Sequence, residues 1–212
     1  MLISAFPTSV FSDKERLVIT SEINTLLEKA GTVKAHHEPG EFISPPFVRP
    51  KKNGSHRMIL NLKNLNTHVE YNHFKMDTLE SAIRFMTPGC YMTSIDLKEA
   101  YYSVPIAKDH QKCLKFEWDH TLYQFTCFPN GLVFCPQKFT KLLKPVYSVL
   151  RRQGHISSPY IDDSYLQGSD YEDCVANITA TIQMFIFLGF IVHPTKLILI
   201  PTQKISFFGI CT

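Results

Sequence analysis

The chain has 212 residues, 44% hydrophobic and 19% charged, with 22 basic and 19 acidic side chains giving a net charge of +3. That length holds one domain or two small subdomains, and the balance excludes wholesale disorder, collagen-like repeats and coiled coils. The charge is compatible with a nucleic-acid partner without demanding one.

The longest apolar run, residues 184–192, is too short to span a bilayer. The first basic residue is Lys14, so the charged start of a secretory signal is missing. Six cysteines lie scattered with no CxxC pair. The expectation is an intracellular chain with reduced thiols and no membrane partner.

Along the chain, Ser12 and Glu15 have capping-box spacing, and Ile19, Ile23, Leu26, Leu27 and Ala30 recur at helical intervals, which predicts a helix stopped by Gly31. In residues 41–65, Pro45, Pro46 and Pro50 forbid helix, and Asn53-Gly54 signals a hairpin turn. Asp77 and Glu80 open a short helix carrying Leu79, Ala82, Ile83 and Met86, ended by Pro88-Gly89. Strand-like runs dominate residues 91–127, with 113–118 and 122–127 joined by a tight Asp119-His120 turn. After Pro136 a helix is predicted with Phe139, Leu142, Leu143, Val146, Val149 and Leu150 on its apolar face. Lys138, Lys141, Lys144 and Arg151 fall on the other face, and Pro145 is expected to kink it. Residues 156–168 read as two short strands around a turn holding Asp162-Asp163. Asp170 caps a helix over 171–188, Gly189 stops it, and strands at 197–200 and 205–211 close the chain. Helices and antiparallel strands in mixed order predict an α+β fold.

Tyr160-Ile161-Asp162-Asp163 is the most informative stretch. Adjacent carboxylates at a turn are hard to ionise together without a cation, although taken alone such a pair is more often an ordinary turn. Asp96 ends an apolar-alternating strand, where a lone Asp can simply terminate the strand. If antiparallel strands bring Asp96 and Asp162 together, two hard divalent ions held between them would serve an in-line phosphoryl transfer. Arg49, Lys51, Lys52 and Arg57 surround one hairpin, either as a solvated loop or as a phosphate clamp. Asn130-Gly131 reads as a turn and helix lead-in. The histidines, His36-His37 among them, lack metal-site spacing with the cysteines.

The ordered set Lys51/Lys52, Arg57, Leu65-Asn66, Ser94-Ile95-Asp96, Tyr101, Phe128-Pro129-Asn130-Gly131-Leu132, Tyr160-Ile161-Asp162-Asp163, Leu188-Gly189-Phe190, Lys196 and Phe207-Phe208-Gly209 resembles the reverse transcriptase family of RNA-directed DNA polymerases. The likeness covers roughly residues 41–212. Phe74-Lys75-Met76-Asp77-Thr78-Leu79 and Tyr101-Tyr102-Ser103-Val104-Pro105-Ile106 resemble, more finely, retrotransposons that carry a tyrosine recombinase, the DIRS type.

The resemblance implies the fingers and palm of a right-hand polymerase, with an antiparallel palm sheet packed on helices. An N-terminal helical segment at 1–40 would precede a fingers/palm domain at 41–212, with no thumb, RNase H or recombinase domain in the chain. By the same resemblance, Asp96 and Asp162 would ligate two Mg²⁺ ions (or Mn²⁺), with Asp163 an outer ligand and the Leu97 carbonyl assisting. Tyr101, beside Ala100, would lie under the sugar of a deoxynucleoside triphosphate. Lys51 or Lys52 and Arg57 would grip its phosphates. Asn130 stands where much of the family has Gln, which shortens its reach to the nucleotide. Gly131 would let the backbone approach the templating pair, and Lys196 would protonate pyrophosphate. Phe207-Phe208-Gly209 would grip the primer of an RNA or DNA template–primer duplex. Two other readings compete: a catalytically incompetent nucleic-acid-binding remnant of the same fold, and a two-metal nuclease. The nuclease leaves Tyr101, Asn130-Gly131 and the basic hairpin without a task.

Overall fold

The computed structural model describes residues 11–51, 54–70, 74, 84, 86–194, 200–204, 206–207 and 210–211. In chain order the elements are α1 (Asp13–Glu28), β1 (Thr32–Lys34), β2 (Pro46–Pro50), β3 (His56–Leu60), α2 (Lys63–Asn66), β4 (Tyr91–Asp96), a 3₁₀ turn (Ala100–Ser103), α3 (Lys108–Gln111), β5 (Lys115–Trp118) and β6 (Thr121–Phe125). They continue with α4 (Cys135–Arg152), β7 (Ile156–Tyr160), β8 (Asp163–Gly168), α5 (Tyr171–Phe187), β9 (Ser206–Phe207) and β10 (Ile210–Cys211). The mixture is α+β, with every named strand pairing antiparallel. The chain divides into two units, Met1–Tyr71 with Val104–Cys135, and Asn72–Ser103 with Pro136–Thr212.

In the first unit, Ser12 caps α1 in a full capping box with Glu15, and Ile19, Ile23 and Leu26 are buried. The helix ends differently from expectation. Gly31 N–H donates to Leu26 O at 2.8 Å and Ala30 N–H to Leu27 O at 3.0 Å, a pattern that places the left-handed residue at Ala30, φ 53°. Gly31 is needed for packing instead: a Cβ there would sit 3.3 Å from Leu26 Cδ2 and 3.4 Å from Cys127 Sγ.

β1, β6 and β5 form one sheet, and β2 pairs with β3 as a hairpin. Asp119 (φ 46°) and His120 (φ 58°) make the tight β5–β6 turn as expected, both left-handed as a two-residue hairpin of this twist requires. Asp119 also pairs with Arg16 of α1, whose guanidinium lies 5.1 Å over the Trp118 ring. Trp118 Nε1 donates to Thr20 at 3.1 Å, tying α1 to the hairpin tip.

A buried cation completes this unit. Lys115 is 0% exposed, and its Nζ donates to His36 O at 2.6 Å, Glu38 Oε1 at 2.8 Å and Glu41 Oε2 at 2.9 Å. Burial works against ionising Glu41, but hydrogen bonds from His37 and Lys115 outweigh it and hold the carboxyl down at about 2. Burial likewise opposes charging Lys115, yet its two carboxylates raise its pKa overall.

In the second unit, β8 is the central strand of the sheet β4–β8–β7. Pro159 sits on the edge strand β7, where a missing N–H is tolerated. α4 packs beneath this sheet: the Tyr147 hydroxyl bonds the Ser164 hydroxyl, and Arg151 Nη2 donates to Ser157 O at 3.0 Å. Buried Asn177 of α5 donates to Ile156 O at 2.8 Å and Gln167 O at 2.9 Å. Because successive strand residues alternate faces, Ser164 and its register partner Ile95 face α4, while Asp163 and Asp96 face the other way.

α4 buries Phe139, Leu143, Val146, Tyr147 and Leu150. Leu142, expected on that face, is 48% exposed. It lies beyond one edge of the arc spanned by Phe139, Leu143 and Leu150 at 3.6 residues per turn, whereas buried Tyr147 extends that arc on its other side. Pro145 does not end the helix, which runs on to Arg152. Most of the helix expected at 77–86 and of the strand expected at 197–200 lies outside the described residues. Among the described residues no helix is long and apolar enough to cross a membrane. Cys90, Cys113, Cys127, Cys135 and Cys174 are free thiols. Burial pushes Cys127 and Cys174 up to about 11 and Cys135 to about 12.

Candidate active site

Three carboxylates gather at one end of the sheet in the second unit. Asp96 is the last residue of β4 and is 7% exposed. The β7–β8 connection is a two-residue turn of Ile161-Asp162, closed by the pair Tyr160–Asp163. Asp163 is therefore not a turn residue, as the sequence implied, but the first residue of β8. It stands directly opposite Asp96 in register, on the same face, where facing Cβ atoms lie about 4.5–5.5 Å apart. Asp162 occupies the turn beside them and is half-buried.

The turn is strained and held. Ile161 has φ 55°, a region that a β-branched side chain enters at a cost of about 1–3 kcal/mol. Leu97 N–H donates to Asp162 O at 2.8 Å, fixing the turn against the strand that carries Asp96. On the other edge, His193 N–H donates to Asp96 O at 2.8 Å and Lys98 N–H to Ile191 O at 2.7 Å. The backbone of residues 96–98 is thus bonded on both sides.

Ala100 begins the 3₁₀ turn and is buried, whereas Tyr101 and Tyr102 are each half-buried. The Tyr101 ring stands edge-on to fully buried Phe139 at 5.6 Å and 80°. Phe139 in turn meets Phe190, Phe190 meets Phe185, and Phe185 meets Tyr147 at centroid distances of 5.9–6.0 Å. Tyr147 bonds Ser164, the neighbour of Asp163. This aromatic chain was not anticipated, since its members are spread over residues 101–190.

No group of three His, Cys, Asp or Glu side chains able to hold a metal ion occurs among the described residues. What the sheet end does offer is a set of hard carboxylate oxygens, a chemistry that suits Mg²⁺ rather than a soft metal.

Of the other expected residues, Lys51, Arg57, Asn130 and Gly131 belong to the first unit. Lys51 and Arg57 are exposed on the β2–β3 hairpin, and Lys51 N–H donates to Ser55 O at 2.6 Å. Arg57 faces Arg49 in register, a like-charge pairing that costs stability by itself and makes the face receptive to anions. Gly131 has φ 99°, the left-handed region that favours glycine, while a Cβ there would meet Leu60 O at 3.6 Å, an ordinary contact. Its carbonyl accepts from Asn66 Nδ2 at 2.9 Å, and Asn66 Oδ1 accepts from Val133 N–H at 3.0 Å. Asn66 therefore clasps the loop that carries half-buried Asn130 and Gly131. Its place just after Leu65 in the ordered motif set was the only sequence signal of that job. Lys52, Lys196, Phe208 and Gly209 lie outside the described residues, and of Phe207 the described part is its backbone in β9, paired with Ile210.

Solved structures share this fold. The foamy viral protease-reverse transcriptase in complex with double-stranded DNA matches with a TM-score of 0.84 and 22% identity, over 97% of this chain and 35% of that one. The same enzyme in complex with an RNA/DNA hybrid matches with a TM-score of 0.79 and 22% identity, over 95% of this chain and 26% of that one. These likenesses define a polymerase fold of the fingers-and-palm type. The family model for reverse transcriptase (RNA-dependent DNA polymerase) matches residues 49–211, and the chain belongs to that family. Among curated relatives, the Transposon Tf2-3 and Tf2-4 polyproteins of Schizosaccharomyces pombe are each 22% identical over 152 residues. The chain spans 11% of the length of these relatives, and they span 72% of it.

Proposed function

We propose that the chain is the strand-synthesising part of a retrotransposon polyprotein, joining deoxynucleoside triphosphates to a primer 3′ end under direction of an RNA or DNA template. The observation that carries this reading is the pairing of Asp96 with Asp163 across antiparallel strands, with Asp162 on the adjoining turn, in a chain of this family. Two Mg²⁺ ions, or Mn²⁺ in their place, held by Asp96, Asp162, Asp163 and the Leu97 carbonyl would neutralise phosphate charge and lower the pKa of the primer hydroxyl.

The remaining roles fall to the chain itself. Ala100 and Tyr101 would form the floor beneath the sugar. Lys51, Lys52 and Arg57 would hold the triphosphate, Arg57 by its planar fork. Asn130 and Gly131 would support the templating pair, Lys196 would give a proton to the leaving pyrophosphate, and Phe207-Phe208-Gly209 would steady the primer. The duplexes named in the solved relatives are the partner this reading assigns. Residence inside a cell and membership of the tyrosine-recombinase elements, read from the residue 74–79 and 101–106 wording, complete the proposal.

Primer extension on RNA and DNA templates with Mg²⁺ or Mn²⁺, comparing wild type with Asp162→Asn, tests it. Wild type should extend, and the variant should fall by at least about a hundredfold, the scale of losing one preorganised electrostatic contact, with an unchanged melting temperature. Normal extension by Asp162→Asn overturns the site. Duplex binding without extension by wild type leaves the binding remnant as the better description.

A further inference from the structure

α4 concentrates charge out of proportion to the chain. Its 18 residues carry Lys138, Lys141, Lys144, Arg151 and Arg152 and no acidic residue. Removing those five charges from the net +3 leaves the rest of the chain at −2. All five side chains are exposed, and at 100° per residue they occupy one flank opposite the buried Phe139, Leu143 and Leu150. Arg151 is anchored to Ser157 O. Lys138, Lys141, Lys144 and Arg152 make no ion pair among the described residues.

Folding does not account for this row. Arg151 and Arg152 complement the C-terminal end of the helix dipole, but Lys138 stands near the N-terminal end, where a cation is disfavoured. Successive lysines three apart repel one another across the helix surface. The row lies on the far side of α4 from the sheet, and α4 itself lies on the Ser164 face, opposite the face of Asp96 and Asp163. It is a separate surface from the carboxylates.

We infer that this face of α4 is a second binding surface for the phosphate backbone of a nucleic-acid duplex. From Lys138 to Arg152 is about 21 Å along the helix axis, the axial reach of about six phosphates of one strand. No aromatic side chain interrupts the cations, so the surface has no platform for stacking unpaired bases. Backbone contact to a duplex, independent of sequence, is what it fits. The inference stands on α4 alone and does not require strand synthesis.

The test is binding of a labelled blunt RNA/DNA hybrid across a salt series, for wild type, the triple variant Lys138→Gln/Lys141→Gln/Lys144→Gln, and the triple Lys→Arg variant at the same positions. The Gln triple should flatten the slope of log affinity against log salt by about 2–3, the Arg triple should keep the wild-type slope, and all three should melt alike. Extension from a short primer at low salt should be the same in all three. An unchanged slope in the Gln triple overturns the inference. So does an unchanged slope accompanied by lost binding to phosphatidylserine vesicles, which would assign the face to an anionic membrane instead. Absence of extension in every variant would count against the proposed synthesis and leave this result readable.

Discussion

Lys115 in the first unit and Asp96 in the second are both buried charged side chains on antiparallel strands, at 0% and 7% exposure. Around Lys115 the chain gathers two carboxylates and a backbone carbonyl, each within 3 Å of the ammonium. Opposite Asp96 it sets another aspartate. The first arrangement satisfies a charge with opposite charge and serves the fold. The second places like against like beside a strained Ile161 turn, a combination that a sequence chosen for folding alone would avoid. Where local choices run against stability, a ligand-dependent task is the economical explanation.

The comparison breaks most visibly at Lys115. Lys115→Met should cost about 1–3 kcal/mol, because it leaves the largely covered Glu41 carboxylate without its cation, while half-exposed Glu38 keeps its solvent. Adding Glu38→Gln and Glu41→Gln to that variant should recover much of the loss. Chemical denaturation measures both, and a cost near zero for Lys115→Met would remove its structural role.

Acid sharpens the same point. The folded pKa of Glu41, about 2, lies below its ordinary value of 4.5, so its contribution is complete above pH 4.5 and is lost as pH falls from there toward 2. Thermal melts over that window should decline more steeply for wild type than for Glu41→Gln. Parallel curves would mean that Lys115 does not hold the Glu41 charge.

In the second unit, Tyr101→Ala forfeits the edge-on contact with Phe139, worth about 0.5–1.5 kcal/mol beyond its area. It should also raise ribonucleotide insertion relative to deoxyribonucleotide, since a clash with the 2′-hydroxyl is relieved. Tyr102→Ala should leave that ratio unchanged. Single-nucleotide insertion kinetics separates a sugar-facing Tyr101 from one that only packs.

The smallest effect has the opposite sign. Asp163→Asn should raise stability by about 0.2–1 kcal/mol, because it removes a like charge facing Asp96, while extension falls. A stabilised and still active variant would detach Asp163 from the chemistry.

Much of this was legible beforehand. Through the family resemblance the grouping of Asp96 with Asp162-Asp163, 66 residues on, was legible, and capping at Ser12 and Asp170 and the Asp119-His120 turn follow from local rules that need few residues. Register does not. A two-residue turn with isoleucine at positive φ has no usual sequence signature, so the place of Asp163 on the strand, directly across from Asp96, could not be read beforehand. Lys115, in the stretch Lys-Phe-Glu-Trp, reads as an ordinary strand cation, because the carboxylates that permit its burial lie some 75 residues away. Ala30 takes the left-handed position expected of Gly31, and Gly31 is wanted instead for its close approach to Leu26 and Cys127, which no local pattern announces.

The thiols offer a further use. Cys127 and Cys135 in the first unit and Cys90 and Cys174 in the second are buried, so at neutral pH an alkylating reagent reaches them only through opening of the surrounding structure. Half-buried Cys113 supplies the fast internal reference. Timed alkylation followed by peptide mass mapping would thus turn the natural cysteines into four clocks, two in each unit, recording which half of the molecule breathes first.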